Sequence, residues 1–255
     1  MTDLDALAAL DRRVVECRAC PRLVSWREQV AREKRAAFAD ETYWGRPVPG
    51  FGDPEPTVLV VGLAPAAHGA NRTGRMFTGD PSGDWLFAAL HAVGVARLPT
   101  ATSADDGQEL TGFRLCAPVR CAPPANKPTP QERATCAPWL DEELALVGAR
   151  VRVVVALGAI GWGAALGALA RAGVVVPRPR PRFGHGAQAR LDASSSALGG
   201  AGPEGDAVTL MGSYHPSRHN TATRRLTAPM LEEVLGRARD LGATGAGGGD
   251  LAGPT

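Results

Sequence analysis

Short apolar runs alternate along the chain with longer stretches whose apolar residues recur at helical spacing. The first run, TVLVVGL at 57–63, is rich in β-branched residues, which is typical of a strand buried on both faces. This alternation predicts an α/β fold in which a four-stranded parallel sheet carries helices on both faces. The predicted strand and helix pairs are 57–63 with 82–94, 113–120 with 129–147, 151–158 with a helix to about Ala172, and 207–214 with a helix after Thr227.

One predicted helix start carries a full set of N-terminal signals. Thr129 is placed as the N-cap, Pro130 as the first helical residue and Glu132 as the partner that closes a capping box. Two further helices are predicted nearer the N-terminus, over 3–15 and 27–39.

The remaining segments define the expected domain organisation. Turn residues dominate 41–56, which predicts a long ordered loop. We expect a single domain over 1–241, with an N-terminal helical segment at 1–40 and an insertion loop at 174–206. The tail over 242–255 is expected to be disordered.

In a parallel sheet of this kind, ligands bind outside the carboxyl ends of the strands. The loops expected at that edge are 62–81, 121–127, 158–161 and 213–220. The first continues as GLAPAAHGANRTGRMFTGDPSG to residue 83. Its glycines do not follow the dinucleotide-binding pattern, and it lacks the lysine of a phosphate-binding P-loop. A nucleotide-phosphate cradle is therefore not predicted here.

Composition and charge narrow the class of protein. With 255 residues, of which 44% are hydrophobic and 21% charged, the chain falls in the ordinary globular range. No apolar stretch approaches the ~20 residues that span a bilayer, and the N-terminus lacks the features of a signal peptide. We therefore expect a cytoplasmic protein with no membrane association.

The net charge of +2 conceals local clusters of basic residues. Clustered arginines beside glycine-rich loops favour contact with a DNA backbone, although a solvated basic face is the simpler alternative. The clusters comprise Arg178, Arg180, Arg182, His185 and Arg190 in the insertion, and Arg218, Arg224 and Arg225 after the fourth strand.

Five cysteines suggest a metal site, because an odd number in a cytoplasmic chain is a poor disulfide framework. Cys116 falls within a predicted strand and is interpreted as a buried small hydrophobe. The other four offer soft anionic ligands for zinc or for an iron–sulfur cluster, and their spacing does not choose between the two. The alternative is four unconnected core cysteines. The four are Cys17, Cys20, Cys121 and Cys136.

Three segments together resemble the uracil-DNA glycosylase superfamily, and in particular its iron–sulfur-bearing type 5 members. They are GLAPAAHGANRTGRMFTGD in the first loop, RCAPPANKPTPQERATC at 120–136 and SYHPSRHNTATRRLT at 213–227. The resemblance implies an α/β/α sandwich, a structural 4Fe-4S cluster on Cys17, Cys20, Cys121 and Cys136, and excision of uracil, hypoxanthine and xanthine from double- or single-stranded DNA. We expect the enzyme to act as a monomer.

The resemblance also implies roles for residues of the first loop. Many relatives have an Asp or Asn where this chain has Ala64, so another group must activate water or stabilise the cationic sugar. Asp80 is the candidate, although Asp80 followed by Pro81 is also a typical N-cap pair. Phe77 is the candidate for stacking on a flipped base, and backbone N–H groups of Gly62, Leu63 and Ala64 for contacting it.

The other two segments supply the remaining candidates. His215 is expected to donate a hydrogen bond to the leaving base, and the Asn126 amide to recognise the edge of the base. An ordinary loop histidine and a turn asparagine are the alternatives. Ser217 and Arg218 are candidates for a wedge that enters the duplex, and Arg182, Arg224 and Arg225 for phosphate contacts.

Two other functions stay open at this point. The absence of a carboxylate at Ala64 is compatible with a protein that binds damaged bases or abasic sites without turnover. The thiolates alone are compatible with an iron–sulfur electron-transfer protein, although nothing else in the sequence suggests a donor or flavin site.

Overall fold

The computed structural model describes residues 3–198 and 207–244, and its centre is a six-stranded sheet. The strand order across the sheet is β1-β3-β2-β4-β6-β5. The strands are β1 (Phe51–Gly52), β2 (Val58–Val61), β3 (Phe113–Cys116), β4 (Val153–Leu157), β5 (Gln188–Asp192) and β6 (Ala207–Ser213).

The four central strands are parallel, as predicted, but the sheet as a whole is mixed. β3, β2, β4 and β6 pair in parallel, whereas β1 pairs antiparallel with β3, and β5 pairs antiparallel with β6. The prediction of a four-stranded parallel sheet was therefore wrong at both edges. β1 has only two residues within a segment rich in glycine and proline, and β5 (QARLD) is largely exposed, so neither carries the apolar run of a buried strand.

The helices cover both faces of the sheet. α4 and α8 pack with side chains such as Val58 and Val60 on one face. α1, α5 and α6 pack with alternating side chains such as Leu59 and Val61 on the other, which gives three layers. The helices are α1 (Asp3–Val15), α2 (Pro21–Glu33), α3 (Ala70–Thr73), α4 (Pro81–Ala92), α5 (Pro130–Val147), α6 (Gly158–Arg171), α7 (Arg218–Ala222) and α8 (Ala228–Ala243).

The two predicted helix starts differ in outcome. α5 begins as predicted, because Thr129 accepts a hydrogen bond from the Glu132 amide and the Glu132 side chain accepts one from the Thr129 amide. The helix predicted over 27–39 instead begins at Pro21 and ends at Glu33. Pro21 supplies the first helical residue, and Lys34 at φ 56° ends the helix.

The ends of the predicted domain are only partly described. α8 extends to Ala243, so 242 and 243, predicted as disordered tail, are helical. The rest of the predicted tail over 245–255, and 199–206 of the insertion, lie outside the described residues. Among the helices described, none has both the length and the apolar character to cross a bilayer.

Candidate active site

A cavity of about 300 Å³ opens at the carboxyl ends of the parallel strands. This volume suits a small organic ligand. Three of the four loops predicted at this edge meet there, after β2, β3 and β6, and the fourth, 158–161, contributes no lining residue. The lining residues are Leu63, Ala64, Pro65, Ala66, Ala70, Met76, Phe77, Asp80, Ser82, Ala117, Asn126, His215 and Ser217.

The Phe77 ring forms one wall of the cavity, directly over Gly62. A Cβ atom on residue 62 would lie 2.6 Å from Phe77 Cζ, so only glycine allows this approach. Phe77 itself has φ 54°, a costly backbone conformation for an aromatic residue. The strained backbone holds the ring beside His215, with ring centroids 6.4 Å apart.

The three backbone amides predicted to contact a base differ in availability. The Gly62 N–H donates to the Cys116 carbonyl at 2.9 Å, so Gly62 is not a free donor. For Leu63 and Ala64, which line the cavity, no described residue accepts the backbone N–H. The donors available for a ligand are therefore those of Leu63 and Ala64.

Asp80 both caps α4 and lines the cavity. Its Oδ1 atom accepts the N–H of Ser82 at 2.8 Å and of Gly83 at 3.2 Å. The other oxygen lies against Gly69, where a Cβ would come within 2.1 Å of Oδ2. Burial raises the pKa of Asp80 above its usual 3.8, and the two backbone donors oppose that rise. Asp80 is therefore both the N-cap of α4 and a residue of the cavity wall.

His215 follows β6 on the opposite side of the cavity. Burial lowers the pKa of its imidazole to about 4, so the ring is neutral at pH 7. The His215 carbonyl accepts a hydrogen bond from Asn220 Nδ2 at 2.9 Å, which fixes the loop. Ser217 lines the cavity and also caps the short helix α7 by accepting the Asn220 amide.

Asn126 reaches the cavity from the loop after β3. Its φ of 54° and the φ of 52° at Ala125 lie in the left-handed region, which asparagine tolerates better than alanine. The loop is tied to α2, because Arg22 pairs with Glu132 through Nε and Oε1 at 2.7 Å and donates from Nη2 to the Lys127 carbonyl at 3.2 Å. Asn126 is thereby positioned by the N-terminal segment.

Several features of the site were not predicted from the sequence. Two buried arginines hold the first loop: Arg72 donates to the Gly79 carbonyl at 2.9 Å, and Arg75 forms a two-point pair with Asp106 at 2.7 and 2.8 Å. The apolar wall residues Met76 and Ala117 were also missed. Ala117 had a usable signal, because it directly follows β3 at the carboxyl edge of the sheet.

The four cysteines predicted to bind metal all line a second cavity. Burial raises the pKa of Cys121 to about 11 and that of Cys136 to about 12. Cys116 lies instead in the core, where its thiol donates to the Val60 carbonyl. Within 3–198 and 207–244, no three His, Cys, Asp or Glu residues form a group able to hold a single metal ion. The cavity is lined by Cys17, Ala19, Cys20, Leu23, Val24, Pro47, Arg120, Cys121, Thr135, Cys136 and Trp139.

Two buried arginines lie at this second cavity. Arg27 Nη1 donates to Cys121 Sγ at 3.0 Å, and the backbone N–H of Arg120 donates to Cys136 Sγ at 3.3 Å. Arg120 Nη2 pairs with Glu143. Arg27 Nε, Arg120 Nε and Arg120 Nη1 are buried and have no partner in the described part of the chain.

The four arginines predicted to contact DNA are exposed, whereas Ser217 is half-buried and lines the first cavity. Arg218 begins α7, directly after Ser217. The Arg225 guanidinium lies 4.5 Å from the centre of the Tyr214 ring, next to His215. Arg182 and Arg224 are also exposed.

His68 of the first loop does not line the cavity, and its Nδ1 atom forms a hydrogen bond with the Tyr43 hydroxyl at 3.0 Å.

Comparisons with known proteins identify the family to which the chain belongs. A family model described as the uracil DNA glycosylase superfamily matches residues 49–239. A protein of Mycobacterium tuberculosis named type-5 uracil-DNA glycosylase is 52% identical over 92% of this chain and 82% of its own length. Proteins with the same name from Thermus thermophilus and Pyrobaculum aerophilum are 48% and 46% identical, over 91% and 89% of this chain and 97% and 89% of their own lengths.

Proposed function

Because the chain belongs to the uracil-DNA glycosylase superfamily, and within it to the type-5 enzymes, we propose that it removes uracil from DNA during repair. The reaction hydrolyses the N-glycosidic bond and leaves an abasic site. One observation carries the proposal for this chain: a single cavity of about 300 Å³ is lined by Phe77, Asn126, Asp80 and His215 together.

The cavity suits a base that has left the duplex. A flipped base needs an aromatic surface to replace its lost stacking and polar groups to recognise its edge. The Phe77 ring supplies the surface, the Asn126 amide can both donate and accept, and the N–H groups of Leu63 and Ala64 can donate to carbonyl oxygens. The apolar walls exclude bulk water, so the one water that attacks the sugar must be held by a polar group.

Bond cleavage places positive charge on the sugar and negative charge on the leaving base. We assign Asp80 to the sugar: its carboxylate, when ionised, stabilises the cation or holds the attacking water. We assign His215 to the base, to which its neutral imidazole donates a hydrogen bond as negative charge develops. The two groups line the cavity from different loops, so they can act on opposite ends of the breaking bond.

The same groups support a broader range of substrates. Backbone N–H groups and an asparagine bind exocyclic oxygens without requiring the ring of a pyrimidine. Uracil, hypoxanthine and xanthine all present such oxygens. We therefore include hypoxanthine and xanthine among the proposed substrates.

A panel of duplexes tests the function. Purified protein is mixed in excess with duplexes that each carry uracil, hypoxanthine, xanthine or an undamaged base, and abasic sites are measured by alkaline cleavage of the strand. We expect abasic product from the three deaminated duplexes and none from the undamaged control. If the protein leaves uracil in the duplex, the proposed glycosylase function is wrong. If it releases uracil but neither hypoxanthine nor xanthine, the proposed range of substrates is wrong.

Ala64 supports one competing function, a protein that binds damaged or abasic DNA without turnover. Gel-shift measurements on the same panel separate the two. Tight binding of uracil duplex with no abasic product in single-turnover reactions favours the binding protein, and product formation excludes it.

We further propose that Cys17, Cys20, Cys121 and Cys136 hold a 4Fe-4S cluster. Two features of the second cavity support this proposal. All four thiols line it, and the unpartnered N–H groups of Arg27 and Arg120 offer positive charge to a buried anion. When bound, the cluster would serve as a structural crosslink.

Such a crosslink would hold the residues of the base pocket in position. Ligands from the start of α2 and from the segments around Asn126 would be joined at one point. Ala64, which lines the first cavity, also packs against the small apolar cluster that contains Cys121 and Cys136. Loss of the metal should therefore loosen the base pocket without removing any group from it.

Single cysteine variants test this assignment. Cys121→Ser is expected to lose iron and sulfide and the brown colour of the protein, because one of four thiolate ligands is removed. Cys116→Ser is the matched control and should retain all three, since its thiol lies in the core. A colourless wild-type protein that contains zinc, or loss of iron from Cys116→Ser, would show that the assignment is wrong.

A further inference from the structure

An arginine-rich part of the insertion has no hydrogen-bond or ion-pair partner among the residues that the structure describes. We call residues 177–182, with the sequence PRPRPR, the Pro–Arg arm. Arg178, Arg180 and Arg182 are all exposed, and none forms a hydrogen bond or an ion pair with any residue that the structure describes. Three closely spaced guanidinium groups repel one another, so this segment favours an anionic partner.

The prolines keep the Pro–Arg arm from joining the sheet. A proline at every second position removes three backbone N–H donors and fixes φ at those residues. Each arginine that precedes a proline is also restricted to extended conformations. The arm therefore loses little conformational entropy when it binds a partner.

The C-terminal end of the arm is anchored to the fold. Trp162 Nε1 donates to the Pro181 carbonyl at 2.9 Å. Phe183 packs between the rings of Trp162 and Tyr214, with centroid distances of 6.0 and 6.2 Å. The Tyr214 amide donates to His185 Nδ1 at 3.2 Å. The arm is thus held against α6 and the segment after β6 by a cluster of rings.

This anchor places the C-terminal end of the arm beside the segment that carries His215. Tyr214 immediately precedes His215, and Gly212 of β6 admits the chain so closely that a Cβ there would lie 2.4 Å from the Gly184 carbonyl oxygen. Arg225 covers the Tyr214 ring. The C-terminal end of the arm therefore lies next to the loop after β6, which carries His215 and the exposed Arg218 and Arg225.

We propose that the Pro–Arg arm is a pre-ordered contact for the DNA backbone flanking the damaged base, and that it sets affinity and not the rate of bond cleavage. Arginine binds phosphate oxygens through two N–H groups at once, which suits three guanidinium groups presented from a stiff segment. None of the arm's arginines lines the cavity, so none is placed to act on the glycosidic bond. This proposal rests on the proposed function, since it names the partner of the same surface.

The salt dependence of binding tests the proposal. The dissociation constant of the triple variant Arg178→Gln, Arg180→Gln, Arg182→Gln is measured for an undamaged duplex over a range of salt concentrations. Each neutralised phosphate contributes about 0.9 to the slope of log K against log salt. We expect the slope to fall by roughly 2 to 3, while the single-turnover rate on saturating uracil duplex stays unchanged.

A matched control separates specific contact from net charge. Arg97, Arg150 and Arg237 are exposed, and Arg97 and Arg150 lie at the amino-terminal edge of the sheet, away from the cavity. Their triple glutamine variant removes the same charge and should leave the slope near that of the wild type. Equal slopes for the two triple variants would overturn the proposal, and so would a saturated rate that falls in the arm variant.

Replacing the prolines tests the pre-ordered conformation separately. Pro177→Ala, Pro179→Ala and Pro181→Ala together should weaken binding several-fold and leave the slope unchanged, because the charges remain. Unchanged affinity would contradict a pre-ordered arm. Binding to undamaged duplex requires no excision, so failure of these predictions is distinguishable from failure of the glycosylase function.

Discussion

Asp80→Asn is expected to lower the single-turnover rate on uracil duplex by about 10²-fold, in the range that a positioned catalytic carboxylate contributes. The amide cannot carry the negative charge that stabilises a cationic sugar. It can still cap α4, because asparagine is as good an N-cap as aspartate and its Oδ1 can accept the N–H groups of Ser82 and Gly83. The free energy of unfolding should therefore change little. If the variant keeps the full rate, Asp80 serves only as a helix cap.

Gly69→Ala tests the position of the same carboxylate without removing it. The new Cβ would lie 2.1 Å from Asp80 Oδ2 and 2.8 Å from its Cβ and Cγ, so the side chain must move. The rate should fall while binding of undamaged duplex is retained. Gly163→Ala on α6 is the matched control, because no heavy atom lies within 4 Å of a Cβ there. Equal rates for the two variants would show that the exact position of Asp80 does not matter for cleavage.

The parts of the fold that could be predicted are those fixed by local pattern. The four central strands were predicted because parallel strands buried on both faces, such as β2 and β4, are continuous apolar runs. The start of α5 was predicted because Thr129, Pro130 and Glu132 satisfy the helix end from within the sequence.

The parts that could not be predicted depend on contacts distant in sequence. β5 is an edge strand defined by its pairing with β6, and its exposed residues show no buried pattern. α2 is a different case, because its start was placed too late although Pro21 is a local signal for a first helical residue, and its end depends on the left-handed backbone of Lys34 and not on an apolar period. In the site, the pairing of Phe77 with Gly62 joins residues 15 positions apart, and no local pattern indicates it.

The candidate site was largely accessible from motifs, and its supporting contacts were not. Asp80, Asn126 and His215 were chosen from three separate loops, and all three line one cavity. The arginines that hold the loop, Arg72 and Arg75, were passed over because a sequence does not reveal which charged side chains are buried. Their identification requires the ion pairs that the fold forms, such as that of Arg75 with Asp106.

His215→Gln is expected to lower the single-turnover rate by about 10² to 10³-fold, the usual effect of removing one donor to a developing negative charge. The glutamine amide retains a donor of different reach, so His215→Leu should be slower still. Because the ring lies beside Phe77 and does not support the sheet, both variants should bind undamaged duplex like the wild type. A His215→Leu variant with the wild-type rate would exclude His215 from the reaction.

The pH profile distinguishes the two proposed groups. Burial holds the pKa of His215 near 4, so the ring stays neutral and the rate should show no transition near 6.5. Asp80 acts only when ionised, and its raised pKa means that the rate falls as the pH drops through a value above 3.8. That acidic limb should persist in His215→Gln, whereas in Asp80→Asn only a change due to protonation of His215 near pH 4 should remain. A transition near 6.5 that disappears in His215→Gln would instead mean that the imidazole is protonated in the ordinary range and acts as a cation.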